Sequence, residues 1–162
     1  MHSEQVRRLY EKHGSALLAY GCAMLGDRAA AEDVLQQVFL ALLREDVTPS
    51  APQPYLFRAV RNAALNVRRQ SSRNVQLDDR QEWFEAPAEN REAALGLQTA
   101  ISRLPDEQRE VVVMHIWGEL TLEEIATALD VSPNTAASRY RYGVAKLRET
   151  MRAYEGSNNG RL

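Results

Sequence analysis

The chain has 162 residues, 44% of them apolar and 26% charged, with a formal net charge of -2. That composition suits an ordinary soluble globular protein and excludes a disordered or fibrous chain. Cys22 is the sole cysteine, which rules out an internal disulfide and a cysteine-based zinc site; its setting between Ala19 and Leu25 suggests a packed thiol. With no signal-peptide apolar segment and no run of about 18 apolar residues, membrane insertion is not expected and the chain is expected to stay in the cytoplasm.

In chain order, a first helix is expected from Ser3 to about Leu25, with Val6, Leu9, Tyr10, Leu17, Tyr20 and Met24 recurring near the helical period. Gly26-Asp27 ends it, and Asp27 can cap a second helix with Val34, Leu35, Val38, Phe39, Leu42 and Leu43 as its apolar stripe. Pro49, Pro52 and Pro54 predict a semi-rigid loop from Val47 to Pro54, with a third helix starting at Pro54 or Tyr55. That helix carries Arg58, Arg61, Arg68, Arg69 and Arg73, and no acid occurs from Leu56 to Leu77. A solvated helix tail and a nucleic-acid surface both fit this basic run.

Residues 71–91 have no sustained period and an acidic balance, so a flexible linker is expected there. Trp83-Phe84 within it reads equally as a docking point or as packing onto a neighbouring helix. A helix from Arg91 through Leu104 follows, then one opening at Pro105-Asp106-Glu107 and closing at Gly118. Residues 156–162 are Gly and Asn rich and are expected to fray.

The most informative stretch runs from Leu120 to Arg148. Leu122, Ile125, Ala126 and Leu129 form one apolar helix face; Asp130 breaks the run because it tolerates a left-handed turn, and Ser132-Pro133 supplies a cap and a first-turn proline. The next helix turns Ala136, Tyr140, Val144 and Leu147 inward and leaves Thr135, Ser138, Arg139, Arg141 and Tyr142 on or beside the outer face. This is a helix-turn-helix with a basic recognition helix, although a helical hairpin with a solvated basic face shares the pattern. The net charge of -2 argues against a free-standing DNA-binding protein, and the local charge argues for one. No catalytic constellation is present: His2, His13 and His115 are scattered, and no phosphate loop, HExxH or GxSxG pattern occurs. No enzyme activity, cofactor or metal is expected. The fold class is all-α: two small helical bundles joined by a flexible linker, the second containing the helix-turn-helix.

The chain resembles the extracytoplasmic-function sigma factors, small members of the sigma-70 family that keep only the sigma-2 and sigma-4 domains. The resemblance rests on Leu25-Gly26-Asp27 followed by residues 31–40, on residues 55–66, and on Leu104-Pro105-Asp106-Glu107-Gln108-Arg109-Glu110, in that order and spacing. It implies a sigma-2-like domain at 1–70, a linker at 71–91 and a sigma-4-like domain at 92–155. It further implies that Asp33, Gln36, Gln37 and Leu40 bind core RNA polymerase. Tyr55, Arg58, Arg61, Asn62, Asn66, Arg68 and Arg69 would engage and help melt the minus-ten element, with Tyr55 either stacking on a base or buried. Asn134, Thr135, Ser138, Arg139, Arg141, Tyr142 and Arg148 would bind the minus-thirty-five element; Ser138, Arg141 and Tyr142 are expected to read bases, and Arg139 and Arg148 to hold phosphate. Promoter DNA, core polymerase and a cognate anti-sigma factor are the implied partners. Because polymerase supplies much of the nonspecific affinity, an acidic net charge is no obstacle. Two departures from the family pattern are Pro54-Tyr55, where a tryptophan is common, and Ala136, where a larger aliphatic residue is usual. A conventional helix-turn-helix regulator and an anti-sigma-like adaptor are the rival classes.

Overall fold

The computed structural model describes residues 2–46, 48–71, 82–83 and 87–159, with side chains as far as residue 153. Among these the fold is all helical: α1 (His2–Leu25), α2 (Arg28–Arg44), α3 (Pro52–Ser71), a 3-10 turn (Ala88–Asn90), α4 (Arg91–Ser102), α5 (Asp106–Ile116), α6 (Leu122–Leu129) and α7 (Pro133–Asn159). Helices α1, α2 and α3 pack as one bundle, and α4 to α7 as a second.

The local signals act as their chemistry requires. Gly26 takes a positive φ of 70°, which ends α1, and Asp27 accepts a hydrogen bond from the Ala29 amide at 3.0 Å to start α2. Asp130 closes α6 in the left-handed conformation, at φ 56° and ψ 48°. Ser132 Oγ accepts from the Thr135 amide at 3.1 Å and so caps α7. A reciprocal cap also opens α6: Thr121 Oγ1 accepts from the Glu124 amide, and the Glu124 carboxylate accepts from the Thr121 amide.

Several expectations change. The third helix begins at Pro52 rather than Pro54 or Tyr55, because first-turn amides have no intrahelical acceptor and a proline there forfeits no bond. Ser71 belongs to that helix, while Arg73 and Phe84 lie outside the described residues, as does most of the expected linker. Within the described part of that linker Trp83 is packed, 5% exposed with its backbone amide donating to Gln98 Oε1 at 2.9 Å, while residues 87–91 are exposed. Of the two readings of Trp83, the structure takes packing onto a helix. Helix α7 continues through Asn159, past the point where fraying is expected, since extending an existing helix costs less than nucleating one. Tyr10 and Leu43 are exposed, although their spacing places them with the apolar stripes; Tyr10 stands edge-on to Phe39 at 5.2 Å.

The two bundles also pack on each other, α1 against α5 and α3 against α6. A single apolar core runs through both, from Leu17, Leu56 and Phe57 to Val111, Met114, Leu120 and Ile125.

Candidate nucleic-acid interface

Three helix stripes carry most of the expected functional residues. On α2, Asp33, Gln36, Gln37 and Leu40 are all exposed at i, i+3, i+4 and i+7, while Val34, Leu35, Val38 and Phe39 between them are buried. Leu40 is 51% exposed, and Leu43 one turn further on is exposed too, so this polar strip ends in an apolar patch. A surface with polar specificity groups beside an uncovered apolar residue suits docking on another protein.

Helix α3 divides the seven residues expected on it. Tyr55, Arg58, Asn62, Asn66 and Arg69 recur at i, i+3, i+7, i+11 and i+14 and form one exposed face. Tyr55 is therefore at the surface and not in the core; its hydroxyl lies 3.5 Å from Glu45 Oε2, and burial, then Glu45, raises its pKa. Arg61 and Arg68 point elsewhere. Arg61 Nε donates to Glu110 Oε1 at 2.7 Å, and Arg68 Nη2 donates to Asp106 Oδ2 at 2.9 Å. Burial opposes the Arg61 charge, but the Glu110 hydrogen bond and charge outweigh it and raise the pKa. The Tyr20 hydroxyl donates to the same Glu110 oxygen at 2.8 Å; its own pKa is driven well up, first by burial and then by Glu110.

On α7, Asn134, Arg141, Tyr142 and Arg148 are exposed, and Thr135, Ser138 and Arg139 are partly covered. Ala136 is fully buried and Leu147 nearly so, which turns the other face outward as the periodicity predicts. Asn134, Thr135, Ser138, Arg139 and Tyr142 line one side of a 390 Å³ cleft whose other side is the start of α5, including Glu107 and Gln108. Arg139 Nε sits 3.7 Å from Glu107 Oε2. The Arg141 guanidinium lies over the Tyr142 ring, 5.6 Å from its centre, a cation-π contact between two exposed side chains.

The sequence marks Asp106 and Glu107 only as a helix start and Glu110 only as part of a motif; that these acids sit against the arginines is absent from the sequence expectation. Glu110 carries a readable signal, a carboxylate directly before the apolar run Val111, Val112, Val113 and Met114, but its partners lie far away in the chain. The Thr121/Glu124 cap was also legible, as Thr-x-x-Glu before an apolar helix.

The descriptions "Sigma-70 region 2" and "Sigma-70, region 4" match residues 9–74 and 94–147 respectively. The ECF RNA polymerase sigma factor SigL of Mycobacterium tuberculosis is 31% identical over 156 residues, covering 90% of this chain and 88% of SigL. The chain belongs to the ECF sigma factors of the sigma-70 family. Another relative, ECF sigma factor SigM of Bacillus subtilis, is 25% identical over 78% of this chain and 83% of its own. Among solved structures, the sigma factor RpoE bound to the anti-sigma factor NepR from Bartonella quintana matches at a TM-score of 0.70 and 17% identity, over 92% and 98% of the two chains. CnrH in complex with the cytosolic domain of CnrY matches at 0.65 and 24%, over 91% and 88%. These likenesses concern the fold. As an RNA polymerase sigma factor, the protein serves transcription initiation, and no described helix is long and apolar enough to cross a membrane.

Proposed function

We propose that this sigma factor divides its work among the three stripes. Asp33, Gln36, Gln37 and Leu40 dock on core RNA polymerase in the cytoplasm. The exposed face of α3, with Arg61 and Arg68 beside it, takes the minus-ten strand, and the outer face of α7 takes the minus-thirty-five element. The protein contributes binding and strand capture rather than a catalytic group. A cognate anti-sigma factor is a further partner of the class seen with RpoE.

The observation that carries this reading is the exposed face of α3. Tyr55 offers a ring for stacking, Asn62 and Asn66 offer amides to base edges, and Arg58 and Arg69 offer charge, with no acid anywhere on the helix. An unpaired strand needs that combination. Stacking contributes about 1–3 kcal/mol per base, and a guanidinium holds phosphate through paired hydrogen bonds.

Reconstitution with core polymerase tests it. The wild-type protein should form a complex by size exclusion and make thymines near the start site permanganate-reactive on promoter DNA. Asp33→Arg should weaken the polymerase complex without altering helix content. Strand opening at wild-type levels after joint replacement of Tyr55, Asn62 and Asn66 by Ala would overturn the assignment of α3.

A further inference from the structure

Beside the recognition helix, one side chain rests in an unfavourable place. The Oε1 atom of Gln108 is buried, and among the described residues it accepts no hydrogen bond. A buried carbonyl oxygen without a donor has lost its water and gained nothing in return, so little holds this amide where it rests. Gln108 also lines the 390 Å³ cleft whose opposite wall carries Thr135, Ser138, Arg139 and Tyr142, at i, i+3, i+4 and i+7 of α7.

A glycine sets the close approach that brings Gln108 to this cleft. A Cβ on Gly143 would lie 2.8 Å from Val112 Cγ2 and 3.4 Å from Gln108 Cβ, so α7 settles onto α5 because residue 143 has no side chain. The first turn of α5 is thereby held against the N-terminal half of α7, the half that a helix-turn-helix lays against base edges in the major groove. Arg141 is exposed and is not part of the cleft wall. The Arg141 side and the cleft side of the reading face therefore meet different base pairs.

We propose that Gln108 of α5 is a specificity-determining residue for the minus-thirty-five element. Its amide turns out of the buried position into the cleft and pairs with an adenine, Nε2 donating to N7 and Oε1 accepting from the N6 amino group. The inference rests on the reading of α7 as the helix that takes the minus-thirty-five element. In the major groove only adenine sets an acceptor beside a donor, the pattern that a side-chain amide matches with two hydrogen bonds. Leaving the resting position costs Oε1 no hydrogen bond, and adenine supplies the donor it lacks. Glu107, in the same cleft, already faces Arg139 at 3.7 Å, which leaves Gln108 as the neutral donor and acceptor on the α5 wall.

The test uses complexes of the full chain with core polymerase, which select from promoter fragments randomised across the upstream element; the bound fraction is sequenced. The wild type should prefer adenine at one position that Arg141→Ala leaves unaltered. Gln108→Met, similar in size and without the amide, should weaken that preference roughly tenfold or more, the scale of a bidentate base contact. Preferences at other positions and the salt slope should stay at wild-type values, since no charge is lost. Gln108→Glu should move the same position toward cytosine, whose N4 amino group donates to a carboxylate. The urea midpoint of Gln108→Met should equal or exceed that of the wild type, because an unpaired buried oxygen has been removed.

An unchanged preference profile in both variants, with or without a uniform loss of affinity, would overturn the proposal and leave Gln108 as a packing residue. A lower urea midpoint for Gln108→Met would overturn the claim that the resting amide is unpaired. If Arg141→Ala also leaves every preference intact, the reading of α7 as the minus-thirty-five helix fails instead.

Discussion

A Cβ placed on Gly118 would lie 2.7 Å from Phe57 Cζ and 2.5 Å from the Met114 carbonyl oxygen. Phe57 belongs to the first bundle and Gly118 to the turn between α5 and α6, so the absence of one methyl group sets how closely the bundles meet. The Phe57 ring also packs edge-on to Tyr20 at 5.5 Å, which places the buried hydroxyl beside Glu110. Gly118→Ala should therefore cost about 1–3 kcal/mol, the range for overpacking a rigid site. Urea unfolding measures it, and an unchanged midpoint would show that the junction accommodates the methyl.

Glu119, next in the chain, holds a φ of 57°, a region that costs a residue with a side chain about 1–2 kcal/mol. Replacing it by Gly removes that strain at a smaller entropic cost to the unfolded chain, so Glu119→Gly should stabilise by up to about 1 kcal/mol. The opposite holds at Asp130, the left-handed C-cap of α6: Asp130→Val should lose about 1–2 kcal/mol. Thermal unfolding of the two variants should move in opposite directions.

Cys22 is fully buried, and burial, opposed by the Arg28 charge and aided by Glu32 and Asp27, leaves its thiol pushed up to about 12. At neutral pH it carries almost no thiolate, the reactive species. An aromatic disulfide reagent should label the folded protein far more slowly than the urea-unfolded protein. Comparable rates in both would mean that α1 opens readily around residue 22.

Acid should weaken the fold in two stages. His13 is buried, and burial followed by the charge of Lys12 lowers its pKa below 6.5, so the unfolded chain takes up its proton first. Stability then falls as pH drops through 6.5 toward the lower folded value. Burial raises the Asp106 pKa, but hydrogen bonds and charges from Arg68 and Arg109 overcome it and hold the carboxyl below 3.8. Its contribution is present above that range and is lost as pH falls through the depressed value. His13→Gln should flatten the pH dependence near 6 and leave the acid limb unchanged, as followed by urea midpoints against pH.

On the recognition helix, Arg141→Ala should relax preference at one position of the upstream element and cost about 1–3 kcal/mol on the preferred sequence. Arg139 is held by Glu107 on the cleft side, so Arg139→Ala should weaken all sequences alike and lower the salt slope by about 1. Competition binding of polymerase complexes to a set of single-base promoter variants separates the two. A larger change of preference for Arg139→Ala would reverse the roles.

Periodicity and capping chemistry by themselves determined the all-helical class, the turn at Gly26-Asp27, the left-handed Asp130, the Ser132 cap and which face of α2 and of α7 looks outward. These are local properties: whether a residue lies on the apolar stripe is set by its spacing, and a cap acts within one turn. Tertiary structure alone decided the rest. Arg58, Arg61, Arg68 and Arg69 are alike in the sequence, yet Arg61 and Arg68 turn toward acids 49 and 38 residues away and Arg58 and Arg69 do not. Trp83 in an aperiodic acidic stretch was equally ambiguous until Gln98 met its amide. Charge pairs of this kind depend on how two finished bundles dock, and docking is governed by shape and burial at a junction, such as Phe57 on Gly118, that no local repeat encodes.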